Sequence, residues 1–252
     1  MAAETTSAVS STAEAEVTDK IFLDIKGITP PNKDTGLVET KRIVIGLFGK
    51  DAPQPCSLLT KLVTPEGLLQ PCKPKEQRTL QREQLEANKV YNSCMELQDR
   101  GVTYDLSTVW RILKDERIDM ASVSGKFVSR EFPNWTGTNS LTHDAPGVVS
   151  VRRGNQGGFG FSIYPGNNGS NTAELNENHI VVGRVLEGLD VVQALNQVPV
   201  VNSAKVNYMA LTGGATTKDA PNRSCRYGGP MYCNENKPLQ KLSITKTGIL
   251  PL

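Results

Sequence analysis

The sequence predicts a β-barrel or sandwich with helical caps, and three observations predict it. Apolar runs of four to eight residues, rich in β-branched and aromatic side chains, recur at 148–151, 159–164 and 179–186. Turn residues punctuate the chain between these runs, with Gly, Pro, Asn and Asp clustered at their ends. Helical periodicity is confined to two or three segments, too few for a helical core.

Taken in order, residues 1–16 are Ala, Ser, Thr and Glu with almost nothing to bury, and they read as a disordered tail. The same composition suits a mature end left after removal of a targeting segment. The body, 17–252, reads as one domain carrying two insertions, 64–100 and 199–238, because neither insertion has a core of its own. Residues 21–25 alternate apolar and polar and predict a strand, followed by the turn cluster Pro30-Pro31-Asn32-Lys33-Asp34. The run KRIVIGLFGKDAP is its hairpin partner. Pro53 and Pro55 then open a short amphipathic helix over 57–63.

The first insertion is charged and nearly free of glycine. It places Leu80, Leu85, Val90, Cys94 and Leu97 at roughly helical intervals, which predicts a surface helix with one buried face. Residues 102–113 read as a strand, and 114–140 as one further strand with a long loop. The three central runs suggest an antiparallel sheet, closed by a helix over 189–196. The segment 199–238 is long and irregular, which marks an elaboration of a core fold or a functional loop. The last run, KLSITKTGIL, is a closing strand that requires a partner earlier in the chain.

Composition excludes several classes of function. The 252 residues carry 28 basic and 26 acidic side chains without a basic stripe, which argues against a nucleic-acid partner. No apolar run is long enough to span a bilayer, so no transmembrane segment is expected. Five cysteines lack CxxC pairing or nearby histidine ligands, which argues against a metal site. Cys225 and Cys233 flank a short turn-rich loop and fit either a disulfide or two free thiols. The odd total leaves at least one thiol over. The tract GNQGGFG opens no helix, so it is not read as a phosphate cradle. His143 and His179 have no local motif for nucleophilic catalysis. Three sequons, at Asn134, Asn168 and Asn222, carry little weight in loops of this composition.

One resemblance gathers these segments. RIVIGLFGKDAP before a helix, VWRIL, LTHDAPGVVSV, the Phe-Ser-Ile run, HIVVGRVLEGLDVVQAL and a final strand ending TKTG together resemble a cyclophilin. The likeness runs over most of 17–249, interrupted by the two insertions. These insertions and the opening VTDKIFLDI are similar to divergent cyclophilins of the chloroplast thylakoid lumen. The resemblance implies an all-β fold with helical caps: an eight-stranded antiparallel barrel with two capping helices, here with an inserted helix and a long inserted loop. It also implies peptidyl-prolyl cis-trans isomerase activity on proline-containing segments, with no nucleophile, metal or cofactor required, and a place in the thylakoid lumen.

Carried over residue by residue, the family's catalytic arginine is Arg111, with Trp110 where a histidine usually precedes it. The residues around the substrate become Phe161, Ser162, Leu175, His179, Arg152 and Arg153. Several depart from the family pattern. Ser162 stands where a pocket phenylalanine is usual, Gly160 replaces a glutamine, and Arg152-Arg153 replace Ala-Asn. Glu174 replaces a tryptophan, while Glu116, Arg117 and Asp119 fall where Phe, Met and Gln are usual. Phe161 also reads as core, and His179 fits a structural role at a strand start as well as a pocket wall. Two functions follow as expectations: a weak isomerase and folding helper built on Arg111, or a non-catalytic subunit docking on a large membrane-associated photosynthetic complex.

Overall fold

The computed structural model describes residues 11–29, 35–121, 123, 129–155, 158–166, 172–201 and 236–252. Its strands are β1 (Asp19–Lys26), β2 (Thr40–Leu47), β3 (Arg111–Leu113), β4 (Arg117–Met120), β5 (Val148–Arg152), β6 (Phe161–Ile163), β7 (His179–Glu187) and β8 (Ser243–Leu250). They form one eight-stranded sheet in the order β3-β4-β6-β5-β7-β2-β1-β8, every pairing antiparallel. The sheet curls until its edges meet. The Leu106 and Val109 amides donate to the carbonyls of Ile244 and Leu242, and Ile244 N–H returns a bond to Ser107. An isolated bridge, Thr108 to Ser243, lies between them. The predicted hairpin of β1 with β2 is present, and β8 finds its partner in β1.

Alternation puts Ile21, Leu23 and Ile25 of β1 inside with Ile43, Ile45, Ile112, Ile118, Phe161 and Val182. Each such side chain contributes about 1.5–3 kcal/mol by leaving water. Two helices add to the same core: α1 (Pro53–Leu62) through Cys56, Leu59 and Leu62, and α4 (Leu189–Asn196) through Val191, Val192 and Leu195. The first begins earlier than the predicted 57, since a proline in the opening turn gives up no hydrogen bond. The second has the predicted bounds. Gly188 turns the chain into it at φ 85°, where any Cβ would sit 2.4 Å from the Arg42 carbonyl oxygen.

Four expectations change, the last of them in the inserted helix. Of 102–113, only β3 is strand. Leu106 takes a left-handed φ of 63°, and Val102 is tied separately to Leu68. A short helix, α3 (Ala173–Asn178), precedes β7 where none was expected. Residues 11–17, placed by composition in the tail and the first residue of the body, lie against the barrel instead. Ser11 Oγ and the Thr12 amide each donate 3.0 Å to Asp144, Thr12 Oγ1 donates to the same carboxylate, and Arg184 reaches the Thr12 and Ala13 carbonyls. Ala15 and Val17 pack on a second apolar cluster outside the barrel, formed by Phe48, Leu141, Val148, Tyr164, Leu175 and Val181.

The inserted helix α2 (Gln81–Met95) is present but lacks the expected apolar face. Leu80, Leu85 and Val90 are 61 %, 63 % and 56 % exposed, and Cys94 is the helix's one buried residue. Steps of five residues turn the helix by about 140°, so these side chains spread around it instead of lining a face. What holds α2 is covalent and polar. Cys94 is bonded to Cys72, and the buried Arg130 guanidinium donates to the carbonyls of Gln70, Leu97, Gln98 and Arg100. Cys225 and Cys233, left open between a disulfide and two free thiols, lie outside the described residues, and Cys56 is a free buried thiol.

The bridge closes a loop of 22 residues, worth about 3 kcal/mol of chain entropy. Reduction is therefore expected to raise amide exchange across α2 by about 100-fold while β1, β2 and β7 keep their protection. Hydrogen exchange with and without dithiothreitol checks this. Among the described residues, no helix is long and apolar enough to cross a membrane.

Candidate functional site

Directly opposed residues on neighbouring strands share a face of the sheet, so the register defines what the barrel shows outside. Arg111 of β3 lies opposite Asp119 of β4, Asp119 opposite Ser162 of β6, and Ser162 opposite Ser150 of β5. Arg152, two residues along β5, lies opposite His179. Arg117 precedes Asp119 by two residues and shares its face. The alternate residues Ile112, Ile118, Met120, Ile163 and Val151 belong to the core, and two apolar side chains, Leu113 opposite Arg117 and Val181 opposite Ser150, interrupt the otherwise polar outward row.

Asp119 is the hub of one half. Arg111 Nε donates to its Oδ2 at 2.7 Å, Ser162 Oγ to its Oδ1 at 2.7 Å, and Arg117 Nε lies 3.3 Å from the same Oδ1. The Arg111 guanidinium also sits 4.9 Å from the centroid of the Trp110 ring. The Arg111 side chain remains 20 % exposed, while the carboxylate is 7 % exposed. A rigid fork is thus anchored through one nitrogen, with its end near solvent.

The other half is a buried chain of neutral groups. The backbone N–H of His143 donates to Asn176 Oδ1 at 2.9 Å, so that atom is the amide oxygen and His143 Nδ1, 2.7 Å away, must also donate to it. A neutral His143 then accepts at Nε2 from Ser150 Oγ (2.9 Å), leaving that oxygen to accept from His179 Nδ1 (3.1 Å). Burial lowers the pKa of His143. Burial, and then Arg117, lowers that of His179 to about 3. Ser150–His143–Asn176 has the order of a hydrolytic triad, but Ser150 is 1 % exposed and reaches no substrate.

The row brings together Arg111, Ser162, Arg152 and His179 of the expected site residues. It does not include the others. Phe161 faces the core, its ring 5.6 Å from that of Tyr104. Leu175 is buried in the second cluster beneath α3. Arg153 is spent on backbone, donating to the carbonyls of Glu177 and Gly137. Asp119, which falls where the family pattern has a glutamine, orients Arg111. Ser150 and His143 were missed. A polar residue inside the apolar run VVSV was the available signal for the first.

The family model described as cyclophilin type peptidyl-prolyl cis-trans isomerase/CLD matches residues 35–213. The chain belongs to the cyclophilin family, whose class is isomerase and folding helper.

Proposed function

We propose that this cyclophilin binds proline-containing segments along the outward row and isomerises them slowly, with Arg111 as the donor. The observation that carries this reading is the Arg111–Asp119 pair, which holds the guanidinium oriented with its terminal nitrogens accessible. Rotation about X–Pro faces about 18–20 kcal/mol because it breaks amide resonance. A donor aimed at the prolyl nitrogen favours the twisted state, in which that nitrogen regains its lone pair. An arginine suits the task, being always charged and pre-shaped. Slowness follows from Ser162 and Arg117, which offer no apolar wall. A missing phenylalanine contact withholds roughly 1.5–3 kcal/mol of ring binding.

In a protease-coupled assay on a proline tetrapeptide, the protein is expected to exceed the uncatalysed rate, and Arg111→Ala to abolish the excess. No excess in the wild-type protein would sink the enzymatic reading.

The second reading, a non-catalytic subunit docking on a large membrane-associated complex, draws support from α2. The helix is held outside the barrel by a disulfide, beside a groove of about 780 Å³ lined by Lys73, Arg78, Arg82, Glu86 and Tyr91. We also place the protein in the chloroplast thylakoid lumen. The likeness of the insertions to lumenal cyclophilins supports this, and a disulfide suits an oxidising compartment. Fractionation of chloroplasts with an antibody to the protein tests it, and recovery in stroma or cytosol would refute it.

A further inference from the structure

We infer that Arg117, acting beside Arg111, selects segments that carry an anionic side chain next to the proline, an inference that rests on the peptide-binding reading above. Its ground is the hydrogen-bond balance around Asp119. That carboxylate already accepts a hydrogen bond on each oxygen, from Arg111 and from Ser162, and is ion-paired with Arg117 Nε at 3.3 Å. Each guanidinium is engaged there through Nε. Among the described residues, the terminal Nη nitrogens of Arg111 and Arg117 have no hydrogen-bond partner, and the two side chains are 20 % and 15 % exposed. Two forks therefore stand side by side at the surface with their outer N–H groups unfilled.

Arg152 adds a third cation on β5, and its charge, like that of Arg117, helps to hold His179 neutral. The neighbouring acids do not fill these donors. Asp115 is bonded to Asn196, Lys114 and Glu116 are both exposed in the β3–β4 turn, and Glu174 is exposed on α3. Among the described residues the site is short of acceptors, not simply rich in charge. Paired oxygens on one centre match an arginine fork, so the ligand chemistry is a carboxylate or a phosphate. Such a group would offset the apolar contact that Ser162 and Arg117 no longer give the proline ring.

The test uses the full chain and blocked Ala-Xaa-Pro-Phe peptides with Xaa as Glu, phosphoserine, Ala or Lys. Trp110 is partly exposed beside Arg111 while Trp135 is buried, so intrinsic fluorescence reports binding at this face. The Glu peptide is expected to bind on the order of ten-fold more tightly than the Lys peptide, with the gap narrowing at high salt. A still tighter phosphoserine peptide would identify phosphate as the source of the anion. Arg117→Met should bring Glu and Lys to equal affinity, and Arg117→Lys should keep part of the preference. Equal affinity in the wild-type protein, or a preference that survives Arg117→Met, overturns the inference while Ala-Pro binding stands. Failure of all four peptides to bind removes the peptide-binding reading itself.

Discussion

Asp119→Ala is expected to lower stability by about 2–4 kcal/mol and to abolish the activity carried by Arg111. The carboxylate is 7 % exposed and binds two guanidiniums and a hydroxyl. Removing it leaves two like charges adjacent and a buried hydroxyl without its acceptor. Breaking a fully buried pair costs about 3–5 kcal/mol, and the partial exposure of both arginines reduces this. Asp119→Asn keeps one acceptor oxygen and should lose roughly half as much. Urea unfolding followed by fluorescence gives the stabilities, and the protease-coupled assay gives the activities. Stability within about 0.5 kcal/mol of wild type for Asp119→Ala would mean that the hub is not formed in solution.

Acid is expected to destabilise the fold from about pH 6.5 downward. Both histidines are held neutral in the folded protein by burial, and in His179 also by Arg117 and Arg152. Asp119 acts the other way on His179, and Asn176 and Asp144 on His143, without reversing either shift. The unfolded chain takes up protons near the ordinary histidine value of 6.5, and the folded chain does so for His179 only near 3. Between these limits the unfolded state binds more protons. Stability is thus fully present above 6.5 and is lost as pH falls, at about 1.4 kcal/mol per unit for each histidine held neutral. At pH 4.5 His179 alone accounts for roughly 2–3 kcal/mol. The chain has two histidines, so no other imidazole contributes. Urea midpoints at pH 7, 6, 5 and 4.5 check the slope. His179→Gln should flatten it by about one proton's worth, and an unchanged slope in that variant would contradict the buried network.

How far the sequence could be read depended on whether a feature was local. The strand–turn–helix segment from β7 to α4 was legible almost residue by residue, because β-branched alternation, Gly188 and the Val191, Val192, Leu195 stripe all sit within one short stretch. The hairpin of β1 and β2 was legible for the same reason. Features set by register were not. Ser150, His143 and His179 meet only because β5 lies between β6 and β7, and nothing near either histidine in the chain announces a serine. Asp119 was placed by position along the family pattern, but its grip on Arg111 depends on β3 pairing with β4.

The disulfide was missed for a different reason. Cys94 passed for an apolar helix residue, and its partner Cys72 lies in a proline-rich loop that predicts no geometry. The contacts of residues 11–16 were not legible because composition counts apolar area alone, whereas Ser11 and Thr12 are held by one distant carboxylate, Asp144. For the site, the departures Arg117, Asp119, Arg152 and Ser162 fall on one outward row, whereas Phe161 and Leu175 do not. Both fit a pocket by alignment and are buried by packing.

The most direct test is a titration of the isotopically labelled protein with a proline-containing peptide, read residue by residue from backbone amide shifts. Binding along the outward row predicts that the largest shifts fall at Arg111, Arg117, Asp119, Arg152 and Ser162, with α2 unmoved. Shifts confined to Lys73 through Tyr91 around the α2 groove, with the row silent, would contradict the account.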